Sequence, residues 1–510
     1  MLSRIPIRRL PKNVKPCTYF SRNNQTLAST AKPHIEMTTL ANGLRLVTDS
    51  TPGHFSALGA YIDAGSRFED PKNPGLSHLH DRLAWKSTEK YNGQEMLENL
   101  SKLGGNYMSA SQRESIIYQS SVFNKDVEKM LELISQTVRY PKFTDQEFEE
   151  CLQTADYEAQ ELSYKPDLYL PEELHSVAYK NNTLGLPLYF PRERLPLVSK
   201  QDILNYHEKF FQPQNVIIAM VGVPHEYALR LVMDNFGDWK ATKNSTKPDL
   251  GVINYTGGEL ALPHKPPIYA NLPELYHIQV GFETTGLLND DLYSLATLQK
   301  LLGGGSSFSA GGPGKGMFSR LYTQILNQYP YVENCQCFNH SYIDSGIFGI
   351  TLSLVPQAAG VGVQMIGNEL SKLLTKENGM TMNEVERAKK QLISSLLMNV
   401  ESRLAKLEDL GRQIQCQGKI TTVDEMVEKI NRLTSSDLKN VLEKVITGNV
   451  VTKGVSSGLP SVVMQGERES FGDVEFWLRH YGLGKFSGPE LTQPRDFTKE
   501  KENKKRRWFS

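Results

Sequence analysis

Ile217-Ile218-Ala219-Met220-Val221-Gly222 is a short apolar run closed by a glycine, and a helical pattern follows it at Glu226–Phe236, stopped by Gly237. A run this short, β-branched at its start and bounded by a turn residue, reads as a buried strand. Near the other end of the chain, Ser461-Val462-Val463-Met464-Gln465-Gly466 leads into a helical pattern at Val474–Tyr481 in the same way. Working outward from these two runs, the chain goes through one plan twice. In the first pass, Thr38–Asp49 alternates around the turn Asn42-Gly43, and His54–Phe68 is a second strand. Two short helices are predicted at 75–88 and 92–104, then a hairpin over Asn106–Val122, then helices at 124–140, 144–165, 170–180 and 199–211. The second pass opens with the strand Leu275–Glu283 and a helix at 289–302. A glycine-rich loop follows, then a helix at 317–328, a hairpin over Val332–Val355 turning at Asp344-Ser345-Gly346, and helices at 361–376 and 382–416. The repeat is one of pattern and not of identity. It predicts an α+β protein of two similar domains, each a mixed or antiparallel sheet covered by helices. The domains are expected at 36–240 and 274–490, joined by a polar linker, 241–273, that holds Pro248, Pro263, Pro266, Pro267 and Pro273.

With 510 residues, 39% of them apolar, the chain can bury large cores without staples. Five cysteines rule out a disulfide scaffold. The longest apolar runs, such as Asn215–Val223, are less than half a membrane span, so no transmembrane segment is expected. Lys plus Arg and Asp plus Glu are 57 each, which gives no support to nucleic-acid binding. The zero net charge hides a split. Residues 1–35 carry seven bases and no acid, the composition of a mitochondrial targeting presequence or, failing that, of a disordered basic arm. Residues 491–510 hold seven bases and three acids and read as a basic tail. The body, 36–490, is left with 43 bases and 54 acids, a net of −11 that suits a cationic partner or simply aids solubility.

Chemistry-bearing residues begin at Gly75-Leu76-Ser77-His78-Leu79-His80-Asp81-Arg82-Leu83-Ala84-Trp85-Lys86-Ser87-Thr88. This stretch resembles the active-site helix of the pitrilysin-type zinc peptidases, family M16. Their H-x-x-E-H motif sets two histidines on one zinc with a glutamate as general base. His78 holds the first histidine position, Asp81 replaces the glutamate, and Arg82 replaces the second histidine. A guanidinium is always charged and has no lone pair to offer a metal. Glu158 lies 76 residues beyond Arg82, at the spacing of the family's third ligand. One histidine and one carboxylate fall short of the three protein ligands of a catalytic zinc. The reading preferred for these residues is a salt bridge from Arg82 to Glu158 across the former metal site. Cys335-Gln336-Cys337 reads as ordinary strand residues, and Cys151 and Cys416 as core thiols.

The most specific segment is Gly303-Gly304-Gly305-Ser306-Ser307-Phe308-Ser309-Ala310-Gly311-Gly312-Pro313-Gly314-Lys315-Gly316. It fails as a phosphate loop: Ser309 stands where the first glycine of the P-loop belongs, and Gly316 follows the lysine. Seven glycines in fourteen residues make it costly to order, yet Phe308 and Lys315 are unusual in a plain linker, so a binding loop or mobile lid fits better. This segment, together with Asn271–His277, Ser50–Gly59, Asp63–Phe68 and Phe471–Glu475, resembles the α-type subunits of the mitochondrial processing peptidases within family M16, in a fungal style. The likeness covers 36–485. It implies a non-catalytic, substrate-recognition subunit that binds no metal and has no catalytic residue of its own. Its partner would be a β subunit bearing the intact motif and the zinc, in a heterodimer that cuts cationic presequences from imported precursors in the mitochondrial matrix. The resemblance assigns substrate handling to Gly303–Gly316. The competing expectation is a structural core subunit of the homologous cytochrome bc1 complex, in which the full glycine-rich segment is not expected.

Overall fold

A computed structural model describes residues 34–180, 182–242, 247–267, 272–308, 316–375, 379–489 and 491–495. The expected presequence, apart from His34 and Ile35, and the tail beyond Arg495 lie outside them. The first half runs β1 (Ile35–Thr39), β2 (Arg45–Asp49), β3 (Phe55–Ile62), α1 (Leu76–Arg82), α2 (Gly93–Leu103), β4 (Asn106–Ser111), β5 (Ile116–Phe123), α3 (Val127–Arg139), α4 (Asp145–Leu162), α5 (Pro166–Tyr179), α6 (Lys200–Phe210), β6 (Val216–Val221) and α7 (His225–Phe236). The second runs β7 (Asn254–Tyr255), β8 (Gly258–Leu262), β9 (Tyr276–Thr285), α8 (Asp291–Leu302), β10 (Gly304–Ser306), β11 (Val332–Ser341), β12 (Ser345–Leu354), α9 (Ala359–Leu374), α10 (Met382–Glu401), α11 (Arg403–Gln417), α12 (Val423–Arg432), α13 (Ser435–Ile446), β13 (Val455–Ser456), β14 (Ser461–Gln465) and α14 (Val474–His480).

Two six-stranded sheets result, ordered β1-β2-β6-β3-β5-β4 and β10-β11-β12-β9-β14-β8. Without the added edge strands β1 and β10, the series β2-β6-β3-β5-β4 corresponds one for one to β8-β14-β9-β12-β11. The one parallel pairing in each sheet falls at the same place, β2 with β6 and β8 with β14. The fold is α+β and built twice. The strand β8 comes from the stretch expected as a linker. Its alternation is too short to stand out between prolines, and it is fixed by pairing Gly258–Leu262 with Ser461–Gln465.

Each sheet is apolar on both faces, and its own half covers only one. On the inner face of the first sheet, Leu46, Leu58, Tyr118, Ile218 and Met220 pack with α1, α3 and α7 residues such as Leu79, Ile134 and Val232. Its outer face, with Val47, Tyr61, Ile217 and Ala219, is covered by Leu407, Leu410 and Ile414 of α11, from the second half. Reciprocally, Leu170, Leu174 and Tyr179 of α5 pack on Ile347 and Val463 of the second sheet. This exchange is why the single helix expected over 382–416 breaks. Ser402 is extended (φ −74°, ψ 122°), and the chain turns there toward the other sheet. No helix among the described residues is long and apolar enough to cross a membrane.

A buried guanidinium lies where the halves meet. Arg67, after β3, donates from Nη1 to Glu114 at 2.5 Å and from both Nη atoms to Asp344 at 2.7 Å. Its Nε and Nη2 donate to the carbonyl of Leu250 at 3.0 and 2.9 Å. Glu114 sits in the β4–β5 turn, Asp344 in the β11–β12 turn, and Leu250 in the connecting segment. The Arg67 side chain is 0% exposed. Removing one member of a buried charge network leaves the others uncompensated. Arg67→Met is therefore expected to destabilise the chain by about 3–5 kcal/mol, read as a shift in urea unfolding midpoint, with Arg67→Lys restoring only part because it cannot bridge both carboxylates in a fork. An unchanged midpoint in Arg67→Met refutes the clamp.

Candidate functional site

The site helix α1 starts at Gly75, whose φ of +93° and close approach to Phe190 exclude a side chain: a Cβ there would lie 2.8 Å from the Phe190 Cα. The first amides of α1 are satisfied by Glu69, which accepts from Gly75 N–H at 2.5 Å and Ser77 N–H at 2.6 Å. A carboxylate at a helix N-terminus answers both the unpaired donors and the dipole. Burial nevertheless pushes the Glu69 carboxyl up to about 7, against the pull of those hydrogen bonds. Six of the seven α1 residues, Leu76 to Asp81, are buried.

The two histidines of α1 diverge, as their spacing requires. His80 enters the core, stacked on His207 with ring planes 3° apart and its Nε2 3.0 Å from His207 Nδ1. Burial holds both rings well below the ordinary histidine range, His207 at about 3, so the pair is neutral. His78 faces α4. Its Nδ1 accepts the Phe190 N–H at 3.2 Å, which places the ring proton on Nε2, 3.0 Å from Glu158 Oε2. The Tyr189 ring meets His78 edge-on at 5.4 Å.

Arg82 completes the set. Its Nε donates to both Glu158 oxygens, at 2.9 and 3.0 Å, and its Nη1 to Asp81 at 3.1 Å. Burial raises the Glu158 pKa, but the hydrogen bonds from His78 and Arg82 outweigh it and hold the carboxyl down at about 2. His78, Asp81, Arg82 and Glu158 thus form one linked unit, in which Asp81 Oδ1 is left without a hydrogen-bond partner. Cys151, two turns before Glu158 on α4, donates to the Leu79 carbonyl at 3.5 Å, and burial pushes its thiol up to about 12. The zinc of the resembled motif does not fit here. The Nε2 of His78 and the Glu158 carboxylate are committed to each other, and a guanidinium that cannot deprotonate lies on the same carboxylate. Asp81 is tied to that guanidinium through its Oδ2.

The glycine-rich segment enters as an edge strand and not as a free loop. Gly304–Ser306 pairs with Asn334–Gln336 of β11. Gly304, at φ +92°, runs so close to the Cys335 carbonyl that a Cβ would overlap it. Its N–H donates to Ser319 Oγ at 3.0 Å, and Ser307 donates from N and Oγ to Glu333 at 2.7 and 2.9 Å. Phe308 is 93% exposed. Residues Ser309 to Lys315 lie outside the described residues. The helix expected over 317–328 is reduced to a wide five-residue turn, Tyr322–Leu326. Cys335 and Cys337 are both buried along β11. Glu69, Tyr189, Phe190 and His207 escaped the sequence reading, and only Glu69, a carboxylate shortly before a glycine-started helix, left a local signal.

Residues 45–192 match the family described as Insulinase (Peptidase family M16), and residues 198–392 match the Peptidase M16 inactive domain. The chain is 43% identical over 495 residues to the mitochondrial-processing peptidase subunit alpha of Neurospora crassa, over 84% of this chain and 86% of that one. It is 42% identical over 475 residues to the probable mitochondrial-processing peptidase subunit alpha of Schizosaccharomyces pombe (92% and 93% covered). To the mitochondrial-processing peptidase subunit alpha of Homo sapiens it is 33% identical over 454 residues (86% and 85%). Among solved structures, a chain of complex III2 from Candida albicans with Inz-5 bound aligns with a TM-score of 0.73. That alignment covers 88% of this chain and 99% of that one at 20% identity, a likeness of fold.

Two outcomes follow from the geometry. Because Glu158 is held at about 2, below its unfolded value, its contribution to stability is present above the ordinary carboxylate range and lost as pH falls toward 2. In Arg82→Ala that acid dependence should shrink and stability near neutrality fall by about 1–3 kcal/mol, read by thermal unfolding across pH. An acid limb identical to that of the unaltered chain contradicts the pairing. Zinc should leave the melting temperature of the unaltered chain unchanged, while the double variant Asp81→Glu with Arg82→His should gain a zinc-dependent rise. A stoichiometric zinc in the unaltered chain overturns the fit argument.

Proposed function

The chain belongs to peptidase family M16, among the mitochondrial-processing peptidase α subunits, and we propose that it is the non-catalytic, substrate-recognition subunit of such a peptidase. The observation that carries this reading is Arg82. The helix frame, the first histidine and the distal glutamate are kept, while the second ligand position holds a permanent cation locked on Glu158. A chain built this way needs a homologous partner to supply the metal and the general base. We assign those to a β subunit with an intact H-x-x-E-H motif and its zinc, in a heterodimer that removes cationic presequences from imported precursors. The names of the relatives support a mitochondrial setting, and the acid-free leader with the acidic body supports the matrix and a cationic substrate.

Within this reading, 1–35 is the targeting presequence, 36–240 and 274–490 are the two M16-like domains, and 491–510 is a basic tail. Gly303–Gly316 handles substrate. Its anchored start supports this: Gly303–Ser307 is fixed to β11, which presents Phe308 to solvent at a defined point. The likeness to the complex III2 chain stops at fold, so the bc1-type alternative lacks a site-level argument.

The test is reconstitution. Alone, the chain should not cleave a synthetic presequence peptide. Mixed with a zinc-bearing homologue it should restore cleavage, and mutation of the homologue's motif should abolish it. Deleting Phe308–Lys315, beyond the anchored strand, should leave the mixture assembled but lower turnover at least tenfold. Full activity of the homologue without this chain refutes the subunit reading, and full activity of the deletion refutes the role of the segment.

A further inference from the structure

Both ends of the glycine-rich segment come back to one residue. At the entrance, Gly304 donates from its N–H to Ser319 Oγ at 3.0 Å. At the exit, Ser319 donates from its own N–H to the Gly316 carbonyl at 2.8 Å. A Cβ on Gly316 would lie 4.0 Å from the same Oγ. The chain from 305 to 315 is therefore closed at its neck on a single serine. Ser319 is buried, which shields both bonds from water.

The first glycines are the ones this neck requires. Gly303 sits at φ +59°, and a Cβ there would lie 2.4 Å from the Ser319 Cβ. Gly304 is pressed on its other side against the Cys335 carbonyl of β11. The entering strand is held between β11 and Ser319, with no room for a side chain at either position. These glycines are a fit around the neck and not slack in the chain.

Ser319 stands on a rigid support. Leu321 and Ile325, just beyond it, are buried in the core of the second half. Arg320 donates from Nη1 to the Gly379 carbonyl at 3.3 Å and to Glu384 at 3.4 Å, and its Nε lies 3.6 Å from Glu369. Glu384 belongs to the capping box that starts α10, and Glu369 to α9. Thr323 donates from N–H and Oγ1 to the Ser319 carbonyl at 3.0 and 3.1 Å. The serine is thus fixed to α9, α10 and the core. The residues on either side of the neck are the opposite: Phe308 and Phe318 are large, apolar and open to solvent, at 93% and 65% exposed. Two exposed aromatic rings hung from one fixed point make a contact surface and not core packing.

We infer that Ser319 is a positioning residue for substrate: its hydroxyl and amide close the neck of the glycine-rich segment and so set where Phe308 and Phe318 stand, without touching substrate itself. The inference rests on the substrate-recognition reading above. A segment released at its neck samples more orientations, and apparent affinity falls with the fraction that stays competent. Once substrate is bound the complex is the same, so the effect belongs in KM and not in kcat.

The test uses the reconstituted complex and the synthetic presequence peptide. Ser319→Ala removes the acceptor, and Ser319→Cys keeps the size while offering only a weak one. Each should raise KM about fivefold, the value of one hydrogen bond, with kcat held within about twofold. Hydrogen–deuterium exchange should show the Gly304 amide sped by a similar factor while the amides of β12 keep their rates. The decisive readout uses the deletion of Phe308–Lys315. In that background Ser319→Ala should change KM no further, because the residue acts only through the segment. A KM change of equal size in both backgrounds marks a general structural role and refutes the inference, as does loss of assembly in both single variants. Unchanged KM in both single variants also refutes it, and leaves the substrate role standing where the deletion still lowers turnover. A deletion that cleaves like the unaltered complex removes the substrate role, and the positioning role with it.

Discussion

Each sheet of this protein is apolar on both faces, and each half of the chain folds its own helices onto only one of them. The outer face of the first sheet, with Tyr61 and Ile217 fully buried, is covered by α11 from the second half; the second sheet depends likewise on α5 from the first. Neither half can bury both faces alone, so the two fold as one body. Polar groups buried between the halves have to be satisfied there. Arg67 does this for Glu114, Asp344 and the Leu250 carbonyl together. Its forked guanidinium matches that geometry, which an ammonium cannot. The relation of the two turns, β4–β5 and β11–β12, and hence of everything hung on the strands beside them, follows from these packing and charge constraints.

The same logic governs the degenerate metal site. Glu158 lies on a helix packed against α1, only 28% exposed, with His78 in front of it. In a zinc peptidase the metal neutralises such a carboxylate. Without a cation its charge would be desolvated and unpaired, which costs several kcal/mol or forces protonation. Arg82 supplies that cation from the position a metal ligand would take, so one substitution both removes a ligand and fills the charge vacancy. The frame persists because its electrostatics are closed. Glu69 caps α1 and Phe190 orients His78, so the helix is positioned by groups that do not depend on a metal.

Much of this was legible in the residues. The two valine- and isoleucine-rich runs before helices located β6 and β14, and the turns Asn42-Gly43 and Asp344-Ser345-Gly346 located strand ends. The Arg82–Glu158 pair followed from side-chain chemistry together with the ligand spacing that the family resemblance implies. What was not legible was non-local. An amphipathic stripe says that a helix is covered, not by which sheet, so the break at Ser402 and the crossing of α11 carried no local mark. The strand β8 is set by its partner β14. The helices α12 and α13 did carry signals that went unread, the capping boxes Thr422 with Glu425 and Thr434 with Asp437. In the site, Glu69 and Phe190 reach α1 through tertiary folding, and no spacing rule gives them.

The glycine-rich segment shows how composition and position divide the work. Its first glycines are structural: Gly304 lies so close to the β11 backbone that no side chain fits, and its N–H is bonded to Ser319. This start adds β10 to the sheet edge, a strand with no counterpart in the first half. Beyond it the chain leaves the sheet with Phe308 facing solvent. An unpaired buried acceptor is normally selected against unless something reaches it. Such an acceptor stands at the former metal position itself, where Asp81 Oδ1 has no hydrogen-bond partner although Arg82 is paired with Glu158. The former metal position is therefore closed in charge without being closed in every hydrogen bond.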